Sequence, residues 1–224
     1  MGVRRKIGTI ALLGGTGHLG EGLALRWAPR HKVLIGSRSK ERALASKEKI
    51  RGILDSRGFK AMVDGDTNQE IVASSDLVVF CVPYEAALDL VGAIKHRLTD
   101  QIVLSPVAPM KKQNNLLVPS LVPPDSAAVR LREILPRNIS IVSTLHTIPA
   151  EKLYADGPLP DYAVVVYGEG ESKRAVMELI SEVKSLIPLD GGPLEFSYLS
   201  EQITPLLLNL AKLNKGRDLS MKFF

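Results

Sequence analysis

Three groups of residues have the types and spacing that chemistry needs. The first is Gly14-Gly15-Thr16-Gly17-His18-Leu19-Gly20, directly after the apolar run Ile10-Ala11-Leu12-Leu13. Strand, glycine turn and helix in that order bind a pyrophosphate. Gly15 and Gly17 let backbone N–H groups approach the anion, and Gly20 lets the new helix lie near the strand with its positive end toward the anion. The second group is Ser37-Arg38, which ends the run Lys32–Gly36. A site for an unphosphorylated dinucleotide places Asp or Glu about 20 residues after the glycines, to accept from the ribose 2′-hydroxyl. A hydroxyl and a guanidinium stand there instead, and these bind a 2′-phosphate, so the favoured dinucleotide is NADP. Arg42, one turn further, either adds a second cation or is a solvated helix charge. The third group is His146, between Thr144 and Thr147 and ahead of Pro149. Its imidazole suits hydrogen bonding to a heteroaromatic ring or stabilising negative charge there; the alternative is a structural histidine.

The elements that position these groups follow from periodicity. Glu21–Ala28 reads as the helix facing the pyrophosphate, ended by Pro29, and Ser39–Ile53 as a charged helix. Asp55–Thr67 covers a loop and a short strand, and Asn68–Ala73 a short helix. Leu77–Val82 is apolar without alternation, as a parallel strand covered on both faces should be. A helix over Ala86–Lys95, a strand over Gln101–Ser105, a helix over Ser126–Leu135 and a fifth parallel strand over Ile139–Ser143 complete the pattern. Ligands sit beyond the carboxyl ends of parallel strands, which brings Val82 and Tyr84 beside the cofactor, with Leu88 closing the wall. The rigid loop Pro106–Met110 forms a floor for a flat ring, and Lys111–Pro124 reads as a surface excursion. Beyond Ala150 come strands near 163–167 and 188–194, a helix over 173–186, and a last helix over 198–213 that Thr204-Pro205 kinks or restarts. The expected fold is a Rossmann-type, doubly wound α/β sheet, mainly parallel. Residues 1–145 form the NADP-binding domain, and 146–224 a small C-terminal α/β domain that closes the cleft.

Composition narrows the function. The 224 residues are 45% hydrophobic, enough for a substantial core. Cys81 is the one cysteine, so neither a disulfide framework nor a cysteine metal site is expected. The formal charge of +5 fits anionic ligands but is modest for a nucleic-acid binder, and five Phe, five Tyr and one Trp make no stacking platform. The basic N-terminus leads into a short strand rather than a signal h-region, and no apolar run reaches membrane length. A cytoplasmic, soluble protein is expected, with no nucleic-acid or membrane partner. The apolar end Met221–Phe224 suggests a homodimer interface.

With the GGTGHLG turn (14–20), the Gly-Ser-Arg end of the second strand, SPVAP (105–109), LHTIPA (145–150), LDGGPL (189–194) and ITPLLLNL (203–210) in view, the chain resembles the F420H2:NADP oxidoreductases over essentially its full length. The resemblance implies NADP and the deazaflavin coenzyme F420 ring against ring in one cleft. Hydride then passes directly between deazaflavin C5 and nicotinamide C4, with no catalytic protein acid or nucleophile. It further implies that Thr16, Gly17, His18 and Leu19 hold the pyrophosphate, and Ser37, Arg38 and Arg42 the 2′-phosphate. Tyr84, Leu88, Ala108, Met110 and Ala150 would surround the nicotinamide half, with His146, Ile148 and Leu207 near the deazaflavin. His18, Arg42, Tyr84 and Ala108 stand where the family often has Asn, Lys, Trp and Val. Two other readings share the scaffold. One is an NADPH-dependent flavin, metal, imine or keto-acid reductase, for which His146 is the good proton-donor candidate; the other is a non-enzymatic NADP-binding sensor.

Overall fold

The computed structural model describes residues 5–216 and 219–222. Phe223 and Phe224, part of the apolar C-terminus singled out above, lie outside the described residues. The chain runs β1 (Thr9–Leu13), α1 (His18–Trp27), β2 (Lys32–Ser37), α2 (Lys40–Ser56), β3 (Val63–Thr67), β4 (Leu77–Phe80) and α3 (Tyr84–Ile94). It continues with β5 (Ile102–Ser105), a hairpin of β6 (Met110–Gln113) and β7 (Leu116–Pro119), α4 (Ala127–Ile134) and β8 (Ser140–Ser143). Then follow α5 (Ala150–Tyr154), β9 (Tyr162–Tyr167), α6 (Gly170–Ser181), β10 (Leu186–Gly192), α7 (Tyr198–Glu201) and α8 (Ile203–Leu213).

Eight strands form one sheet in the order β10-β9-β8-β5-β4-β1-β2-β3. From β3 to β8 every pairing is parallel. The order reverses between β1 and β4, and such a reversal opens a crevice at the strands' carboxyl ends. β9 joins β8 antiparallel through Ser143 and Tyr167, and β10 lies parallel to β9. The residues beyond 146 therefore extend the same sheet.

Successive side chains of a strand point to opposite faces, and here both faces are buried. Ile10, Leu12, Ile35, Val79 and Leu104 pack with Leu23, Trp27, Ile50, Leu54 and Val176 in one core layer. Ala11, Leu13, Leu34, Val78, Phe80 and Val103 pack with Ala87, Val91 and Leu131 in the other. That arrangement explains the apolar runs without alternation.

Two expectations are corrected. Asn68–Ala73 is a series of turns rather than a helix: the N–H groups of Glu70 and Ile71 both donate to the Thr67 carbonyl. The excursion at 111–124 contains the β6–β7 hairpin, held edge-on by α8. The Asn209 side-chain amide accepts from the Leu117 N–H at 2.8 Å and donates to its carbonyl at 2.7 Å, while Lys212 donates to the Asn115 carbonyl at 2.6 Å. The last helix breaks at Gln202, which puts Pro205 in the first turn of α8, where a missing N–H leaves no bond unmade.

Candidate functional site

The glycine turn is built by close approach. Gly14 has φ +67°, and a Cβ on it would meet Val82 Cγ1 at 2.2 Å; a Cβ on Gly20 would meet Gly15 Cα at 2.4 Å. Helix α1 thus starts hard against the turn, beside the end of β4. The Gly15 N–H is shared between the carbonyls of Leu12 (3.0 Å) and Gly36 (2.9 Å). No side chain caps α1 at Gly17, so its opening turn, with Thr16, His18 and Leu19, presents backbone donors to an outside anion.

Ser37 is buried at the end of β2, and Arg38 and Arg42 are exposed beside it. Among the described residues neither guanidinium has an ion pair, whereas Lys40 is engaged by Asp66 at 2.7 Å and Lys47 by Asp64 at 2.9 Å. Two unpaired cations at this end of the sheet suit a phosphate, and no carboxylate stands at the end of β2 to oppose it.

At the strand ends lies a cavity of about 450 Å³. Leu19 of α1, Val82 and Tyr84 beyond β4, Ala108 and Met110 beyond β5, and His146, Ile148 and Ala150 beyond β8 all line it. A smaller cavity of about 240 Å³ shares His146, Ile148, Ala150 and Thr204 and adds Leu207 of α8. Leu88 lines neither; it packs beside Val82 and Tyr84 on the second core layer. Another hollow, of about 390 Å³, sits near Ile7 and His31 at the opposite ends of the strands, where His31 is closed against Glu182 at 2.7 Å.

The wall that ends in Ala150 is tightly held. Leu145 has φ +69°, a strained setting for a branched side chain. Around it Thr144 donates its N–H to Ser105 (3.1 Å) and its hydroxyl to the Val165 carbonyl (2.9 Å), and Thr204 donates to the His146 carbonyl (3.0 Å). His146 is buried, with Nε2 at 3.2 Å from Ser143 Oγ and no partner for Nδ1 among the described residues. Burial lowers its pKa to about 3, against a smaller upward pull from the Ser105 carbonyl, so the ring is neutral at physiological pH. Burial pushes the Cys81 thiol up to about 12, which leaves it inert. Helix α5 is locked to α1: Arg26 donates to the carbonyls of Leu153 (2.8 Å), Ala155 (2.8 Å) and Lys152 (3.1 Å). A Cβ on Gly22 would meet Leu153 Cβ at 2.8 Å.

Known proteins resemble the chain in sequence and in fold. The family model described as "NADP oxidoreductase coenzyme F420-dependent" matches residues 9–109. An F420-dependent NADP reductase of Methanocaldococcus jannaschii is 34% identical, covering 90% of this chain and 91% of its own length. The chain belongs to the F420-dependent NADP reductases. The reductase of the same name from Methanothermobacter marburgensis is 29% identical over 95% of this chain and 96% of its own. The crystal structure of a putative F420-dependent NADP reductase from Arthrobacter sp. FB24 shares the fold, with TM-score 0.80 at 22% identity over 96% of this chain and 98% of that one.

For this member of the family, the structure adds residues that sequence spacing did not reach. Asn68 accepts from the Gly14 N–H at 2.9 Å and donates its own N–H to the Ser37 carbonyl at 2.9 Å, tying the glycine turn to the end of β2. Thr204 stands on the wall of both cavities. Glu201, 2% exposed, accepts from the N–H groups of Ala127 (2.7 Å) and Ala128 (3.2 Å) at the start of α4. Burial raises its carboxyl to about 7 against the downward pull of those amides and of the Ser197 and Ser143 hydroxyls. Asn68 follows a strand and could have been suspected as a turn residue; Glu201 gives no local signal.

Proposed function

We propose that this chain exchanges hydride between NADP and coenzyme F420, the two groups that the names of its relatives carry. The carrying observation is the cavity at the sheet's reversal point, bounded by Leu19 of α1 and by the 145–150 wall, beside a phosphate site with two unpaired arginines. When both groups are bound, hydride passes between deazaflavin C5 and nicotinamide C4. The protein's task is to hold two rings in contact and exclude water, and orientation supplies much of the rate.

The uncapped start of α1, with Gly15, Thr16, Gly17, His18, Leu19 and Gly20, takes the pyrophosphate, and Ser37, Arg38 and Arg42 take the 2′-phosphate. Val82, Tyr84, Ala108, Met110 and Ala150 surround the nicotinamide, with Leu88 supporting Tyr84 from behind. His146, Ile148 and Leu207 meet the deazaflavin. With a neutral imidazole, an inert thiol and a Tyr84 phenol raised by burial, the charged side chain on the lining is the exposed Glu85, and no cationic acid among the described residues faces the cavity, which direct hydride transfer tolerates. In this reading residues 1–145 carry NADP and 146–224 close the cleft. The enzyme works in the cytoplasm as a homodimer, which the exposed Leu206, Leu210 and Leu213 on α8 support.

The test is to mix the protein with NADPH and oxidised F420. Loss of the visible absorbance of oxidised F420 is expected; unchanged absorbance while NADPH still binds refutes the assignment. FMN in its place tests the flavin-reductase reading.

A further inference from the structure

The residue after β3 stands where the two halves of the phosphate site meet. Strand β3 runs parallel to β2 with Thr67 opposite Ser37, so Asn68 comes one residue past that pair, as Arg38 does. Its main-chain N–H extends the ladder to the Ser37 carbonyl at 2.9 Å. Its side chain crosses the end of β2 to the glycine turn, where Oδ1 accepts from the Gly14 N–H at 2.9 Å. The crossing is close, since a Cβ on Gly36 would meet that oxygen at 2.6 Å. A backbone N–H can only donate, so Oδ1 is fixed on Gly14 and Nδ2 is the amide's other arm. Asn68 is 7% exposed, yet Nδ2 has no partner among the described residues and, unlike His146 Nδ1, is not sealed from solvent. The little surface that Asn68 keeps therefore includes a vacant donor.

Holding the Gly14 N–H does not call for an amide. A carboxylate accepts from a backbone N–H more strongly. The chain uses aspartates freely next door, at positions 64 and 66 of β3, each closed by a lysine: Lys47 on Asp64 at 2.9 Å and Lys40 on Asp66 at 2.7 Å. At 68, between the turn and the unpaired arginines, it places an uncharged group with a donor to spare.

We propose that Asn68 is a binding residue for the dinucleotide, its Nδ2 donating to the phosphorylated edge of the adenosine ribose between the glycine turn and Ser37-Arg38. This rests on the NADP half of the functional reading and not on the deazaflavin half. Oδ1 keeps the turn in register with the end of β2 while Nδ2 meets the ligand, so one side chain fixes the separation of the two phosphate sites. A 2′-phosphate and a 2′-hydroxyl can both accept from Nδ2. A carboxylate in its place repels the phosphate but accepts from the hydroxyl, as the acidic residue of an NAD site does. Asn68 thus joins Ser37 and Arg38 in choosing NADP over NAD.

The experiment has two arms. In a ¹H–¹⁵N spectrum of the ¹³C,¹⁵N-labelled full chain, the Asn68 side-chain amide pair is assigned through its own Cβ, and saturating NADP⁺ is expected to shift it. In fluorescence titrations of Asn68→Asp, which keeps an acceptor for Gly14, NADPH affinity should fall about tenfold or more, the scale of a hydrogen bond to a charged group, with NADH nearly unchanged. A merely structural Asn68 would weaken both dinucleotides alike. An unmoved amide pair in the NADP⁺-saturated wild type overturns the proposal, as do equal losses or no loss in Asn68→Asp. The wild-type spectrum decides even if the variant fails to fold. A chain that binds no NADP⁺ overturns the dinucleotide reading and this role together, whereas a chain that binds it but passes no hydride to F420 loses the hydride reading and keeps Asn68 in place.

Discussion

Arg38 shows what one side chain decides. Exposed beside buried Ser37 and without an ion pair among the described residues, it shows no structural task there that competes with a phosphate. Hydrogen bonds to charged groups contribute about 1.5–3 kcal/mol. Arg38→Ala should therefore weaken NADPH about 10- to 100-fold and leave NADH nearly unchanged, as read by fluorescence titration; equal losses contradict the assignment. His146 and Glu201 bring opposite pH dependences to stability. The folded His146, at about 3 against 6.5, refuses a proton that the unfolded chain accepts, so stability rises with pH between those values. The folded Glu201, at about 7 against 4.5, keeps its proton longer than the unfolded chain, so stability falls with pH from 4.5 to 7. The slopes oppose each other between 4.5 and 6.5. Unfolding free energies from urea titrations of His146→Asn should fall with pH there, and those of Glu201→Gln should rise, each by at most about 1.4 kcal/mol per pH unit. Ser37 and Arg38 could be proposed from sequence because a 2′-phosphate site lies at a set spacing from the glycines. Asn68 and Glu201 were not, because their partners lie 54 and 74 residues away.

Helices and strands set the site through two joints. At the first, α1 meets α5 with no room for a side chain at position 22. Gly22→Val forces β-carbon atoms against Leu153, and overpacking of this kind costs about 1–3 kcal/mol. The expected outcome is a lower unfolding midpoint and a fall in kcat larger than the loss of NADPH affinity, because the 145–150 wall moves while the phosphate groups stay. Steady-state kinetics beside NADPH titration would check it, and affinity falling in step with kcat would count against it. At the second joint α8 holds the β6–β7 hairpin through Asn209. That hairpin was illegible: Met110-Lys111-Lys112-Gln113 is half-buried to exposed and has no apolar alternation, so only its pairing and the Asn209 amide make it a strand. Strong helices such as α2 and α6 were legible to within a few residues, because their apolar stripes face a layer they could not otherwise bury.

Over the whole molecule, the unbroken apolar runs announced a sheet covered on both sides, and Ile10 and Ala11 do face different core layers. The continuation past 146 into the same sheet could not be read, since the Ser143–Tyr167 pair alone joins β9 to β8. The exposed Leu206, Leu210 and Leu213 recur at helical spacing along α8. If the proposed homodimer uses this face, replacing Leu210 and Leu213 with Glu should reduce the sedimenting species from two chains to one; an unchanged sedimentation coefficient would count against the face as a contact. The bond from Arg26 to the α5 carbonyls has a consequence for lineage and for engineering. Arg26 needs only main-chain oxygens, which any residue supplies, so the fitted pair is the bare Cα at 22 against the side chain at 153. A chimera that takes its first thirty residues from one parent and 146–157 from another should keep this joint as long as position 22 stays glycine.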